Sequence, residues 1–190
     1  TVFPNAADLQ AEAAMGKLEV PNNIGDLDGD GDFDAIYAFG ARSFSIWTAD
    51  GSLVYDSGDA FERITAEAYP EDFNATHDEN GAFDDRSDNK GPEPEGVTVG
   101  MIGETLYAFI GLERIGGVMV YDITDPIAPV FVTYINNRDF SGDAEAGTAG
   151  DLGPEGLAFI SAATSPNGVD LLVVANEISG STTIYQINGQ

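Results

Sequence analysis

Two sets of acidic residues in this chain have the types and spacing to bind a hard cation. The first is the run Gly25-Asp26-Leu27-Asp28-Gly29-Asp30-Gly31-Asp32-Phe33-Asp34, with aspartate at every second position and glycine between. Carboxylates supply hard oxygen ligands and the glycines let the backbone wrap tightly, so the run predicts a Ca2+ loop ligated by Asp26, Asp28, Asp30, Asp32 and Asp34. It is not an EF-hand: the position of the bidentate glutamate holds Tyr37, and strand-like rather than helix-like sequence follows. A solvated acidic turn is the alternative. The second set is Glu95, Glu113, Glu155 and Glu177, which is recognisable only through a repeat.

Pro94-Glu95-Gly96-Val97 returns as Pro154-Glu155-Gly156-Leu157, and Glu113 returns as Glu177. The offsets are 60 and 64 residues, a difference that a change of loop length would leave. Short apolar strands repeating with such a period predict blades of a β-propeller. The expected strands of the central copy are 96–101, 105–112, 117–123 and 129–135. Those of the last copy are 156–161, 171–176 and 182–187. Neighbouring strands run antiparallel, so the first begins on the side where the second ends. Glu95 and Glu113 therefore share one rim, as do Glu155 and Glu177. Crowded carboxylates repel, and a cation relieves the repulsion. The four are expected to hold Ca2+ there, Glu95 and Glu155 foremost. Alternatively, each bonds backbone N–H groups within its own blade.

Upstream, residues 6–15 have helix-forming composition and 17–20 alternate like a short strand. Strands are expected at 35–40, 43–49 and 53–56, with Asp50-Gly51 as a hairpin signal and Trp47 in the core. Residues 59–92 interrupt the rhythm with a helix near 60–69 and then a long acidic loop, of a length that is functional or disordered in compact domains. His77, the sole histidine, is either a surface residue or a ligand or general acid. Arg86 and Lys90 either bind an anionic group such as phosphate or pair with Asp84, Asp85 and Asp88. A second polar loop, 136–153, carries Arg138 and Asp139 back to the rim. The whole is expected to be all-β: one partial propeller over 1–190, about three four-stranded antiparallel blades near 17–58, 94–135 and 154–187, with the acidic loop inserted. Open blade edges call for completion by a second chain, an N-terminal fragment or self-association.

Composition narrows the partners. Asp and Glu number 33 against 7 Lys and Arg, a formal net charge of −26, which disfavours nucleic acid and anionic membrane surfaces. No apolar run reaches membrane-spanning length, and no leader peptide is recognisable at the start. Calcium loading of this kind suits an extracellular or periplasmic setting.

The stretches RSDNKGPEPEGVTVG, YAFIGLERIGGVMVYDITDP and GDLGPEGLAFI, with GDLDGDGDFDAIYAFGARSFSIW upstream, resemble the choice-of-anchor I family of secreted bacterial propellers. The Asp-rich loop by itself is also similar to those of FG-GAP-type propellers. Family members are longer, so the resemblance implies a C-terminal portion. It also implies a phytase-like or alkaline-phosphatase-like activity, in which rim Ca2+ binds a phosphorylated small molecule and activates water, with Glu95, Glu113, Glu155 and Glu177 as the acids; for such an activity Arg86 or Lys90 is expected to orient the phosphate. A non-catalytic, calcium-stabilised surface, adhesion or filament-forming module is the rival expectation.

Overall fold

The structure is a computed structural model and describes residues 3–40 and 42–188. It is nearly all-β, with three antiparallel sheets. The first is a ribbon of β1 (Ser45–Trp47) and β2 (Leu53–Asp56). The central sheet has the order β3 (Pro94–Ile102), β4 (Thr105–Leu112), β5 (Val118–Asp122), β6 (Val130–Ile135). The C-terminal sheet is β7 (Pro154–Ile160), β8 (Leu171–Asn176), β9 (Ser181–Gln186). Two helices precede the central sheet: α1 (Ala6–Leu9) and α2 (Ala60–Ala68).

β4 and β5 carry apolar residues on both faces because both faces are covered. On one, Ala108, Ile110, Leu112, Met119 and Tyr121 pack against Phe61 of α2, with Phe44 and Ile64 at the margin. On the other, Phe109, Val118 and Val120 meet Leu172 and Val174 of β8. The second contact is blade on blade, and glycine makes it close. A Cβ on Gly96 would overlap the Glu155 carbonyl, and one on Gly100 would enter the Phe159 ring. Both sheets also bulge at the same place, between Pro94 and Val97 in β3 and between Pro154 and Gly156 in β7, so the repeat holds in backbone detail.

The N-terminal third departs from expectation. Of the first expected blade, 17–58, only β1 and β2 form. Residues 35–40 are irregular, with Ile36, Tyr37 and Phe39 exposed, because among the described residues no neighbouring strand pairs with them. Residues 17–20 are not a strand either: Glu19 N–H donates to Asp88 O at 2.7 Å, tying this segment to the acidic loop. The helix expected over 6–15 closes after Leu9. Trp47 is 58% exposed rather than core, and Phe44 takes the inward position, its ring 4.9 Å from that of Tyr121.

Candidate functional site

Glu93, the residue before β3, organises the rim. It sits at φ +50°, in the left-handed region that costs a non-glycine residue of order 1–3 kcal/mol. Its repeat equivalent is Gly153, at φ +69°, where no such cost arises. The turns match otherwise: Glu113 N–H donates to Glu93 O at 2.9 Å, and Glu177 N–H to Gly153 O at 2.7 Å. What distinguishes position 93 is its side chain. Only 6% of Glu93 is exposed, and its carboxylate collects three cations. Arg86 Nη2 donates to Oε1 at 2.6 Å and Arg114 Nε at 2.8 Å, while Lys90 Nζ pairs with Oε2. Burial alone would raise its pKa, but hydrogen bonds from Arg114, Lys90 and Arg86 prevail and hold it at about 2.

Glu113 lies in the opposite electrostatic state. It is 8% exposed, its Oε1 lies 3.2 Å from Arg114 Nη1, and His77 Nδ1 lies 3.5 Å away. Burial drives its pKa up; Arg114 opposes, and Glu93 and Glu95 add to the rise, to about 7. His77 is held neutral in the physiological range by burial first and then by the Arg114 guanidinium, which rests against both ring nitrogens. A carboxyl whose folded pKa exceeds its unfolded value contributes stability below about 4.5 and loses it as pH rises through about 7. Glu113→Gln is therefore expected to stabilise the protein at pH 8 by about 1–2 kcal/mol, a figure discounted for solvent near Glu95. Urea titrations at pH 4 and pH 8 check this, and an equal effect at both would count against it.

The remaining rim acids lie in the open. Glu95, Glu155 and Glu177 are exposed. Glu155 is raised by a hydrogen bond and charge repulsion from Glu177, by slight desolvation, and then by Glu95. Since Glu95 also acts on Glu113, the carboxylates form a row, Glu113, Glu95, Glu155, Glu177, across the junction of the two sheets. The row consists of pairs rather than a cage. Among the described residues, the one triad of carboxylates within 4.8 Å of one another is Asp26, Asp28 and Asp34. In that loop Asp26 accepts from Gly29 N–H at 2.6 Å and Gly31 N–H at 3.1 Å, and Asp34 from Leu27 N–H at 2.9 Å. Asp32 is raised first by Asp30, then by slight desolvation and the other loop aspartates. A cation would relieve this crowding, and the donor set is all oxygen, so the residues present suit Ca2+.

The basic residues have other partners than the sequence suggests. Arg86 and Lys90 bind Glu93 rather than Asp84, Asp85 or Asp88. Arg138 is 7% exposed and acts as a clamp on the acidic loop: Nη1 donates to Thr76 O at 2.7 Å and Arg114 O at 3.0 Å, Nη2 to Glu79 O at 3.0 Å. Its guanidinium also covers Phe140, 4.5 Å from the ring centroid. Sequence reasoning missed Glu93 and Arg114. The signal for Glu93 is in the repeat, where a charged residue replaces the glycine of the equivalent turn.

Sequence comparison sets this architecture among known proteins. The choice-of-anchor I domain profile matches residues 1–126. The chain belongs to the choice-of-anchor I family. Among curated proteins it is similar to Gigasin-3a of Magallana gigas, 30% identical over 192 residues, covering 95% of this chain and 67% of that protein. It is also similar to the mesenchyme-specific cell surface glycoprotein of Strongylocentrotus purpuratus, 27% identical over 109 residues, or 48% of this chain and 13% of the glycoprotein. No solved structure matches. Among the described residues of this choice-of-anchor I chain, no helix is long and apolar enough to cross a membrane.

Proposed function

We propose that this choice-of-anchor I chain is an extracellular or surface propeller module stabilised by Ca2+ bound in the Asp26–Asp34 loop. The observation that carries the reading is the convergence of Asp26, Asp28 and Asp34 carboxylates within 4.8 Å. The similarity to a mesenchyme-specific cell surface glycoprotein supports a surface setting. Asp30 and Asp32 extend the same loop and supply charge rather than closure. Binding only the folded state stabilises by about 2.7 kcal/mol at a hundredfold excess over Kd. For a chain of this size that is a Tm rise of about 5–10 °C. Calcium added to chelator-treated protein is expected to give this rise, and Asp28→Asn to remove most of it. An unchanged melting curve in both would overturn the reading.

A second reading, a metal-dependent phosphoester hydrolase acting on a phosphorylated small molecule, is favoured by one feature: Glu113, protonated up to about pH 7, beside exposed Glu95 and neutral His77. A group with such a pKa suits general-acid catalysis near neutrality. Glu95, Glu155 and Glu177 would hold Ca2+ at the substrate. Arg86 would orient phosphate only by leaving Glu93. Calcium-loaded protein hydrolysing an aryl phosphate, with Glu95→Gln abolishing turnover at unchanged stability, supports this reading. Absence of turnover from pH 5 to pH 9 would leave the stabilised module alone.

A further inference from the structure

The Asp-rich loop stands on two feet, and both rest on the same turn. That turn is residues 86–91, closed by Asn89 N–H and Gly91 N–H donating to Arg86 O at 3.2 and 2.8 Å. Three consecutive carbonyls of it serve the segment that carries the loop. Asp88 O accepts from Glu19 N–H at 2.7 Å, on the limb entering the loop. Ser87 O and Asn89 O accept from Arg42 Nη2 at 2.5 and 3.1 Å, on the limb leaving it. Side chains add to both feet. Asn89 Nδ2 donates to Glu19 Oε2 at 2.5 Å, and Lys90 runs alongside Gly40, its Cδ 3.6 Å from where a Cβ would stand. Between the feet the loop is pinched at its neck, where Asp34 N–H and Ala35 N–H donate to Gly25 O at 2.9 and 3.1 Å. The same turn meets the rim with its other groups. Arg86 and Lys90 reach Glu93, Glu93 holds Arg114, and the Arg114 guanidinium rests on His77.

We propose, on the Ca2+ reading of the loop, that the 86–91 turn couples ion binding at Asp26, Asp28 and Asp34 to the Glu93–Arg114–His77 cluster. The physical basis is repulsion. Asp26, Asp28, Asp30, Asp32 and Asp34 crowd a loop that has no basic residue, and like charges so close push its limbs apart. The feet resist that push, so the turn bears it. An ion cancels the repulsion and lets the turn, with Arg86 and Lys90, settle on Glu93. Linkage is reciprocal: feet that hold the limbs together in advance raise the affinity of the loop for the ion, and the ion in turn steadies the feet. Glu19 and Arg42 are therefore positioning residues for a site they do not touch.

His77 is the sole histidine, so its ring C2 proton gives a single NMR signal beside Arg114. Ca2+ titrated into chelator-treated protein is expected to shift that signal in step with the binding isotherm from calorimetry, and Asp28→Asn to remove most of both. Glu19→Pro takes away the N–H and the carboxylate of one foot at an exposed position. It is expected to weaken Ca2+ binding by about fivefold or more, the lower end of the range for coupled sites, and to reduce the His77 shift at saturation. Glu19→Ala keeps the backbone bond and is expected to fall between. Absence of any binding in calorimetry removes the Ca2+ reading itself, and the coupling with it. Binding with an unmoved His77 signal, or wild-type affinity in both Glu19 variants, overturns the coupling and leaves the Ca2+ reading intact. A His77 shift that persists at full size in Asp28→Asn means an ion on the rim carboxylates near Glu113, and also overturns the coupling.

Discussion

Glu93→Gln is expected to destabilise the protein by about 3–5 kcal/mol, the range for removing one member of a buried ion cluster. Glutamine keeps the volume but leaves Arg86, Lys90 and Arg114 facing one another without an anion, two of them with guanidinium groups that are largely buried. The loss should depend on pH in a defined sense. The folded carboxyl is held at about 2 against an ordinary value of 4.5. Its contribution is complete above about 4.5 and is lost as pH falls through 4.5 towards 2. Wild type should therefore approach the variant's stability at acid pH, and urea titrations at pH 7 and pH 3 measure the convergence. A parallel offset at both would mean that Glu93 matters for its backbone conformation alone. Glu93→Gly separates the two: it relieves the left-handed strain yet removes the charge, and is expected to remain well below wild type.

Gly96→Ala and Gly156→Ala should behave oppositely although the repeat makes the positions equivalent. At Gly96 a methyl group would strike the backbone carbonyl of Glu155, which cannot rotate away as a side-chain tip could. The cost is expected at the top of the ~1–3 kcal/mol range for overpacking. At Gly156 the methyl group would meet only Ala175 at 3.3 Å, and alanine gains about 0.5–1 kcal/mol of backbone entropy in a strand. The expected result is a lower urea midpoint for Gly96→Ala and an unchanged or higher one for Gly156→Ala. Equal losses would imply that the two sheets do not pack through β3 and β7.

The strands from 94 to 187 were legible in the sequence because each alternates or runs apolar between clear turn signals, and because the two copies echo one another. The meeting of Glu95, Glu113, Glu155 and Glu177 on one rim follows from antiparallel pairing and was legible for the same reason. Glu93 was not. Its partners Arg86 and Lys90 come from a loop without periodicity, and only three-dimensional closure of that loop brings them to a buried carboxylate. Residues 35–40 misled in the other direction. Their pattern is that of a strand, but a strand needs a neighbour, and among the described residues none lies beside Ile36 or Tyr37. The sequence leaves His77 as either a surface residue or a ligand or general acid; its burial against Arg114 and Glu113 follows from the Arg138 clamp on Thr76 O and Glu79 O.

The position of Trp47 decides which optical signals report on this protein. It is the one tryptophan of the chain and is 58% exposed on a two-stranded ribbon, outside both packed clusters. Its indole is solvated in the native state much as in the unfolded chain. Intrinsic tryptophan fluorescence should barely change while the sheets come apart, and a flat emission trace would be misread as a protein that resists denaturant. Tyr121, 2% exposed and ringed by Phe44, Phe61 and Phe131, sits in an asymmetric aromatic surrounding. Near-ultraviolet circular dichroism of the tyrosines is accordingly the spectroscopic window on the core, and tryptophan quenching the window on the ribbon alone.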